Sequence, residues 1–170
     1  MLAATAVVFL DQVTKIVLEN ALPLGSRVII TPVFDLVHVR NTGAAFSFLA
    51  SASGWQRELF IGIGLAASAW IVWMLWRAER GQLAFRAALS LILGGALGNV
   101  IDRVRLGGVI DFLHFHWGTY YWPAFNVADS AITCGAVLLI IDALRPGTKR
   151  RESAGEAQGA GKRRPGQRST

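Results

Sequence analysis

Five aspartates lie within or beside hydrophobic stretches of this sequence: Asp11, Asp102, Asp111, Asp129 and Asp142. Inserting one charged side chain into the centre of a membrane helix costs roughly 2.5–3.5 kcal/mol, so an intramembrane carboxylate is a candidate for function. Two carboxylates held a few ångström apart do not both ionise, so one keeps a proton while the other acts as a base toward water. Such a pair hydrolyses a peptide bond without a metal ion, a cofactor or a covalent intermediate.

Asp111 and Asp129 are the two aspartates that the sequence best places together. Asp111 follows the stretch GGVI, and Asp129 lies about one turn into the last apolar segment, with 17 residues between them. A short loop of that length can bring the two side chains to the same side of a membrane. An alternative for Asp129 is local, because Asn126 can cap the helix and a carboxylate three residues later favours the helix dipole. Spacing alone leaves both interpretations open.

The other polar residues favour ion pairs. Asp11 and Lys15 stand at positions i and i+4, where they can neutralise each other. Asp102 and Arg103 lie at a helix end, and Asn99 shares their helical face. The glycines just before Asn99 have G-x-x-x-G spacing, which permits close helix approach.

Four apolar segments have about the length that crosses a bilayer, roughly 20 residues. They cover residues 2–22, 59–76, 84–101 and 126–144. The chain is therefore predicted to be an all-α membrane protein with four transmembrane helices. Asp142 lies near the end of the fourth segment and is interpreted as an interfacial charge.

Basic residues are concentrated in two places and predict the orientation. The loop after the second segment holds three arginines against one glutamate, and the region after residue 144 holds eight basic and two acidic residues. Positive loops stay in the cytoplasm, so both termini are predicted to lie inside and residues 23–58 and 102–125 outside. Residues 1–144 hold nine basic and nine acidic residues, so the high pI belongs to the tail. Anionic lipid, not nucleic acid, is the predicted contact of that tail.

The outer segment after the first helix has the pattern of strands. Residues 27–39 are rich in β-branched and aromatic residues and are broken by Pro32, which predicts two strands and a turn. Residues 41–48 are expected to continue a small extracytoplasmic sheet. Residues 146–170 lack apolar periodicity and are predicted to be disordered. Cys134, the one cysteine, is predicted to be a small buried residue.

Five motifs in order make the chain resemble the signal peptidase II family over residues 5–145. They are DQVTK at 11–15, NTGAAFSF at 41–48, GGALGNVIDRV at 94–104, GGVIDFL at 107–113 and PAFNVADSAIT at 123–133. The resemblance implies an intramembrane aspartic endopeptidase with Asp111 and Asp129 as the catalytic pair. By motif, substrate binding or support of the pair falls to Asn41, Gly43, Asn99, Arg103, Asn126 and Ala128, and a structural polar role to Asp11, Lys15 and Asp102.

The resemblance also implies the substrate and the location. The substrate would be a prolipoprotein whose cysteine carries diacylglyceryl, cleaved just before that cysteine at the outer face of the bacterial inner membrane, the periplasmic side. Membrane lipid would be a further partner, and cyclic peptide antibiotics such as globomycin would bind as inhibitors between the aspartates. Residues 1–145 would form the peptidase domain, residues 23–50 a β-sheet cradle over the site, and residues 104–122 a mobile flap.

The same residues allow three functions other than an aspartic peptidase. A Ser–Lys protease could use Lys15 with Ser47 or Ser130, although the spacing pairs Lys15 with Asp11. A metalloprotease would need both histidines of His-Phe-His at 114–116 and a third from His38. A small proton-coupled transporter would use its carboxylates as a relay, which requires them to be spread across the bilayer. No metal and no cofactor are predicted.

Overall fold

Four long helices form the body of the protein, in a computed structural model that describes residues 1–43, 54–79 and 81–144. The helices are α1 (Leu2–Ala21), α2 (Gln56–Arg77), α3 (Leu83–Leu106) and α4 (Val127–Leu144). The predicted third segment, 84–101, is extended by about one turn at its carboxyl end. Gly107 then ends α3 in a left-handed conformation with φ of 77°. Residues 44–50 of the predicted cradle and the tail 146–170 lie outside the described residues.

The helix α3 is the centre of the bundle and packs against α1, α2 and α4. Its glycines allow this contact, as the G-x-x-x-G spacing predicted. A Cβ atom at Gly98 would lie 2.5 Å from the Asp11 carboxylate on α1, and one at Gly95 would meet the carbonyl of Ala128 on α4. The backbone of α3 therefore lies directly against two polar groups of the neighbouring helices.

The sequence predicted four membrane-spanning helices, but among the described residues only three helices are long and apolar enough to cross a membrane. These are α2, α3 and α4. The 20 residues of α1 have suitable length, but they include Asp11, Lys15 and Glu19, which lower its apolar character. Two of these three charges, Asp11 and Lys15, are completely buried inside the protein, so they lower the hydropathy of α1 without lying on its outer surface.

A four-stranded antiparallel sheet lies at one end of the helices, in the order β1-β2-β3-β4. Its strands are β1 (Arg27–Thr31), β2 (Phe34–Asn41), β3 (Val109–Trp117) and β4 (Tyr120–Tyr121). The first two strands and the turn at Pro32 follow the sequence prediction. The middle of the predicted flap, residues 104–122, is strand β3, which pairs along β2 from Phe34 to Asn41. Pairing satisfies backbone groups that a free flap would leave to water.

Apolar side chains join the sheet to the helices and thereby place the third strand. Ile110 and Phe112 of β3 pack with Leu18 of α1 in one buried cluster. The backbone of Phe125, just before α4, exchanges hydrogen bonds with Leu113 at 2.8 and 3.0 Å. Strand β3 is thus held on both sides, and the residue between Ile110 and Phe112 is Asp111.

Candidate active site

Asp111 and Asp129 reach the same cavity from different elements, a strand and a helix. The cavity has a volume of about 820 Å³ and lies between the sheet, α3 and the first turns of α4. Asp111 is 4% exposed, on β3, and Asp129 lies in the first turn of α4. The structure therefore brings together the two aspartates that sequence position favoured.

Asn126 connects the two carboxylates. Its side-chain amide donates to Oδ1 of Asp111 at 2.8 Å, and its side-chain oxygen accepts the backbone N–H of Asp129 at 2.9 Å. The backbone N–H of Asn126 donates in return to Oδ2 of Asp129 at 3.3 Å. This reciprocal arrangement is a capping box. Asp129 therefore caps its helix and faces the cavity at once, and the two interpretations of it are compatible.

Two further asparagines occupy the remaining carboxylate oxygens. Asn41 at the end of β2 donates to Oδ2 of Asp111 at 3.2 Å. Asn99 on α3 donates to Oδ1 of Asp129 at 2.8 Å. Each oxygen of both aspartates accordingly accepts a hydrogen bond from an amide. An amide can donate to one aspartate whether the other aspartate is protonated or ionised. The cavity holds the two acids in defined orientations.

Burial, followed by the nearby charge of Asp129, raises the pKa of Asp111 to about 7. Hydrogen bonds from Asn41 and Asn126 and the charge of Lys15 oppose this shift only in part. A carboxyl group that is buried and lies beside a second carboxylate keeps its proton to higher pH. The pair can therefore supply an acid and a base near neutral pH.

Arg103 lies beside the pair at the wall of the cavity. Its guanidinium donates to the carbonyl of Gly43 at 3.2 Å and of Asn99 at 3.4 Å, and it lies over the ring of Phe60 at 5.1 Å. The Nε of Arg103 is buried and has no hydrogen-bond partner among the described residues. Gly43 also donates its N–H to the side chain of Asn41 at 3.0 Å. These contacts fix the chain between β2 and the cavity.

The residues predicted to be structural form a closed ion cluster below the pair. Lys15 lies 2.8 Å from Asp11 and 2.7 Å from Asp102, and all three side chains are fully buried. Sequence reasoning paired Lys15 with Asp11 but did not join Asp102 to them. Gln12 was not assigned a role, and it donates to Asp102 at 2.9 Å. Its position next to Asp11 in the first motif was the one signal available.

The cavity has a second, less polar wall that the sequence did not predict. It includes Cys134, which is exposed and not buried as expected, because it lies one turn after Ser130 on the face of α4 that borders the cavity. The remaining residues of this wall are Trp122, Pro123, Ala124, Phe125, Ile132 and Thr133.

The residues of the alternative chemistries are otherwise engaged. Lys15 donates to Asp11 and Asn99 and pairs with Asp102. Ser130 donates to the carbonyl of Asn126 at 2.9 Å, while Ser47 lies outside the described residues. The Nδ1 of His38 forms a hydrogen bond with the carbonyl of Leu22 at 2.8 Å. Across residues 1–43, 54–79 and 81–144, no three His, Cys, Asp or Glu side chains are arranged to hold a metal ion.

Comparison with known proteins gives one consistent result. The model of the family described as "Signal peptidase (SPase) II" matches residues 3–145. The lipoprotein signal peptidase of Cupriavidus taiwanensis is 59% identical over 142 residues, which are 84% of this chain and 80% of that protein. That of Ralstonia nicotianae is 59% identical over 138 residues, 81% of this chain and 79% of the relative.

Solved structures are similar as well. A bacterial membrane enzyme determined by the in meso method at 2.3 Å matches with a TM-score of 0.76 and 35% identity, covering 84% of this chain and 85% of that one. A second, determined at 1.9 Å, has a TM-score of 0.74 and 34% identity, covering 85% and 92%.

Proposed function

Because the chain belongs to the signal peptidase II family, we propose that Asp111 and Asp129 are the catalytic pair of an aspartic endopeptidase. The chain removes signal peptides from prolipoproteins, the activity of its relatives, and the transporter alternative has no support. One observation carries the proposal for the catalytic type. Two carboxylates, on β3 and α4, share Asn126 and line one cavity.

The pair would work by transferring protons between water and the peptide. The ionised carboxylate accepts a proton from a water molecule, whose oxygen attacks the scissile carbonyl carbon, while the protonated carboxyl donates to the carbonyl oxygen. The tetrahedral intermediate then collapses, the C–N bond breaks, and the nitrogen receives a proton from the pair. The proton count balances because the water supplies a hydroxyl to one product and a hydrogen to the other.

The supporting residues would orient this pair and the substrate. The amides of Asn41, Asn99 and Asn126 keep the carboxylate oxygens in place, which lowers the cost of reorganisation during reaction. Arg103 and Gly43 line the cavity and would contact the substrate, with Gly43 held in place by Asn41 and Arg103. Ala128 is completely buried between α4 and its neighbours, so it leaves room for the close helix packing below the pair.

We place the protein in the bacterial inner membrane with four spanning helices, α1 being the fourth. Its charged residues Asp11 and Lys15 face the interior and neutralise each other, while Phe9, Val13 and Val17 are exposed on its outer surface. Lipid would therefore contact an apolar face, in spite of the charges in the sequence. The basic loop and tail favour cytoplasmic termini, which puts the sheet and the cavity on the periplasmic side.

The substrate we propose is a prolipoprotein with a diacylglyceryl-modified cysteine, cleaved just before that cysteine. The cavity combines a polar end at the two aspartates with an apolar wall that begins at Trp122 and follows α4. A lipid anchor can lie along such a wall and in the surrounding membrane, so that the scissile bond is placed by partition. Cyclic peptides of the globomycin type would bind at the same polar end as inhibitors, and the cradle of β1 and β2 would cover it.

The proposal is tested with purified protein in detergent and a diacylglyceryl-modified prolipoprotein, with EDTA present throughout. Asp111→Asn and Asp129→Asn should each lower kcat by about 10²–10⁴-fold, since each removes the acid or the base. Asp142→Asn, at the other end of α4, serves as the matched control and should cleave normally. Near-normal cleavage by either active-site variant, folded to the same extent, would show that the pair is misassigned. Wild-type cleavage that is absent with EDTA and restored when EDTA is left out would point to a metal.

A further inference from the structure

Below the catalytic pair, the ion cluster of Lys15, Asp11 and Asp102 (hereafter the buried triad) has more partners than an ion pair needs. The Lys15 ammonium lies against three oxygens: Asp11 at 2.8 Å, Asp102 at 2.7 Å and the side-chain oxygen of Asn99 at 3.2 Å. It donates hydrogen bonds to Asp11 and Asn99 and forms an ion pair with Asp102.

The two carboxylates of the triad also bind backbone N–H groups on separate elements. Asp11 accepts the N–H of Ala128 at 2.9 Å, and Asp102 accepts the N–H of Ile110 at 3.2 Å. Ala128 directly precedes Asp129, and Ile110 directly precedes Asp111. Each carboxylate of the triad therefore holds the backbone immediately before one member of the catalytic pair.

The third contact of Lys15 reaches the pair through a side chain. The Asn99 oxygen faces Lys15, so its amide nitrogen must face the opposite way, and it donates to Asp129 at 2.8 Å. An asparagine with a cation on one side and an anion on the other has only one orientation that satisfies both. Lys15, together with the side-chain amide of Asn126 at 3.4 Å, thus favours the orientation of Asn99 in which its amide nitrogen meets Asp129.

We infer that the buried triad sets the separation and the orientation of the catalytic pair, with Asp11, Asp102 and Lys15 as positioning residues. The inference rests on the proposed function. Asp129 is carried by a helix and Asp111 by a strand, so ordinary secondary structure does not determine their distance. The triad joins both through side chains of α1 and α3, and a displacement of about 1 Å is enough to lower the rate by roughly 10²-fold.

Stability alone does not explain such a cluster. Replacing a buried ion pair or triad by apolar residues of similar volume is often neutral or stabilising. Its two backbone contacts, by contrast, have a direct geometrical consequence for the site. The distinction between a positioning role and a role in folding alone can therefore be measured.

The first set of variants removes one backbone contact at a time. Asp11→Ala and Asp102→Ala should lower kcat per folded molecule by about 10–100-fold with KM changed by less than about threefold, because the triad does not contact the substrate. The pH profile of kcat should shift as well, since the interaction of the two catalytic carboxylates depends on their distance. Asp11→Asn and Asp102→Asn keep an oxygen that can accept the N–H and should recover part of the activity.

Asp35→Ala is the matched control, because Asp35 is an equally buried carboxylate with an arginine partner in the sheet, 2.7 Å from Arg27. It should lower the unfolding temperature. Because β2 belongs to the cradle that would cover the site, the comparison is made on kcat and its pH profile, which this variant should leave unchanged whatever its KM. The double variant Lys15→Met/Asp102→Asn keeps the net charge of the triad at −1, so it should fold. Its kcat should still be lowered.

The inference is wrong if the alanine variants keep kcat within about twofold and an unchanged pH profile per folded molecule. If only the asparagine and double variants fold, the same criterion is applied to them. If all triad variants fail to fold while Asp35→Ala folds, the triad acts in folding alone and the inference is overturned. Asp111→Asn and Asp129→Asn are assayed alongside: activity in either would refute the catalytic pair, whereas two inactive variants with normal triad variants would refute only the positioning role.

Discussion

The buried triad and a second cluster, in the sheet, both contain buried carboxylates, but these carboxylates are hydrogen-bonded to different extents. In the triad every carboxylate oxygen accepts at least one hydrogen bond, and all three side chains are fully buried. The second cluster, which we call the cradle cluster, consists of Asp35, Arg27, His114 and His116. There Arg27 lies 2.7 Å from Asp35 but is 44% exposed.

Hydrogen bonding separates the two clusters further. His116 and His114 lie 3.2 and 3.6 Å from Asp35, yet neither oxygen of Asp35 has a partner with hydrogen-bond geometry among the described residues. The cradle cluster is held by charge and by the ring of Tyr121, which stacks on both imidazoles. Directional bonding is complete in the cluster that contacts the backbone beside the catalytic pair and incomplete in the one that does not. The comparison indicates that the buried triad fixes the geometry of the site, whereas the cradle cluster holds three strands of the sheet together.

The largest expected effect is on stability, from removing the cation of each cluster. Lys15→Met leaves two carboxylates without a counter-ion in the interior and should lower the free energy of unfolding by about 3–5 kcal/mol. Arg27→Met should cost about 1 kcal/mol, because water can reach the position that the arginine leaves. Thermal unfolding in detergent measures both. Equal losses would mean that the two clusters do not differ in the way proposed.

A second effect concerns the catalytic pair above the triad and depends on pH. The pKa of Asp111 is raised to about 7, so the folded protein binds the proton more tightly than the unfolded chain does. This contribution to stability is complete below the unfolded pKa, near 4, and is lost as the pH rises through about 7. Asp111→Asn should therefore raise the unfolding temperature at pH 8, with a gain that shrinks as the pH falls from 7 to 4.

The same titration should appear in the activity. The pair needs one shared proton, so kcat/KM of the wild-type protein should fall as the pH rises through about 7. A pH–rate profile with detergent and lipid held constant measures this limb. An alkaline limb more than about two units higher would show that Asp111 does not hold the shared proton at neutral pH.

A third prediction disturbs the triad without changing its charges. Gly98→Ala puts a methyl group 2.5 Å from the Asp11 carboxylate and 3.4 Å from Ala128, so it should cost about 1–3 kcal/mol of stability and lower kcat. Gly62→Ala on α2 is the matched control, with nothing within 4 Å of the new atom, and should be neutral or slightly stabilising. Similar behaviour of the two variants would remove the argument that α3 must approach α1 this closely.

The smallest expected effect is in the cradle cluster. Tyr121→Ala removes the ring that stacks on His114 and His116 at 5.6 and 5.3 Å and lies 5.9 Å from Arg27. We expect a loss of about 0.5–1.5 kcal/mol and a kcat within about twofold of wild type. A loss of activity as large as that of Asp102→Ala would place the cradle cluster in the positioning of the site.

Much of the fold followed from local patterns. Length and hydropathy predicted the four long helices, and Pro32 between β-branched runs predicted the first two strands and their turn. The resemblance predicted residues 104–122 as a flap and gave no strand there, because a strand that pairs with β2 across some 70 residues of chain leaves only a weak local signal. The apolar character of α1 was misjudged for a related reason: a hydropathy pattern does not reveal that Asp11 and Lys15 face a third charge on another helix.

The candidate site shows the same division between local and long-range information. The sequence by itself determined the identities of its members, since motifs along the chain named Asp111, Asp129 and the asparagines around them. It also indicated that Asn126 caps the helix of Asp129, because that interaction spans three residues, whereas the return bond from the Asn126 N–H to Asp129 was seen only in the structure. Only the tertiary structure decided that Asp102 joins Lys15 and Asp11, and that Asp11 and Asp102 bind the backbone before Asp129 and Asp111. Contacts between α1 and α4 join residues 117 positions apart, and such a contact depends on the packing of every helix between them.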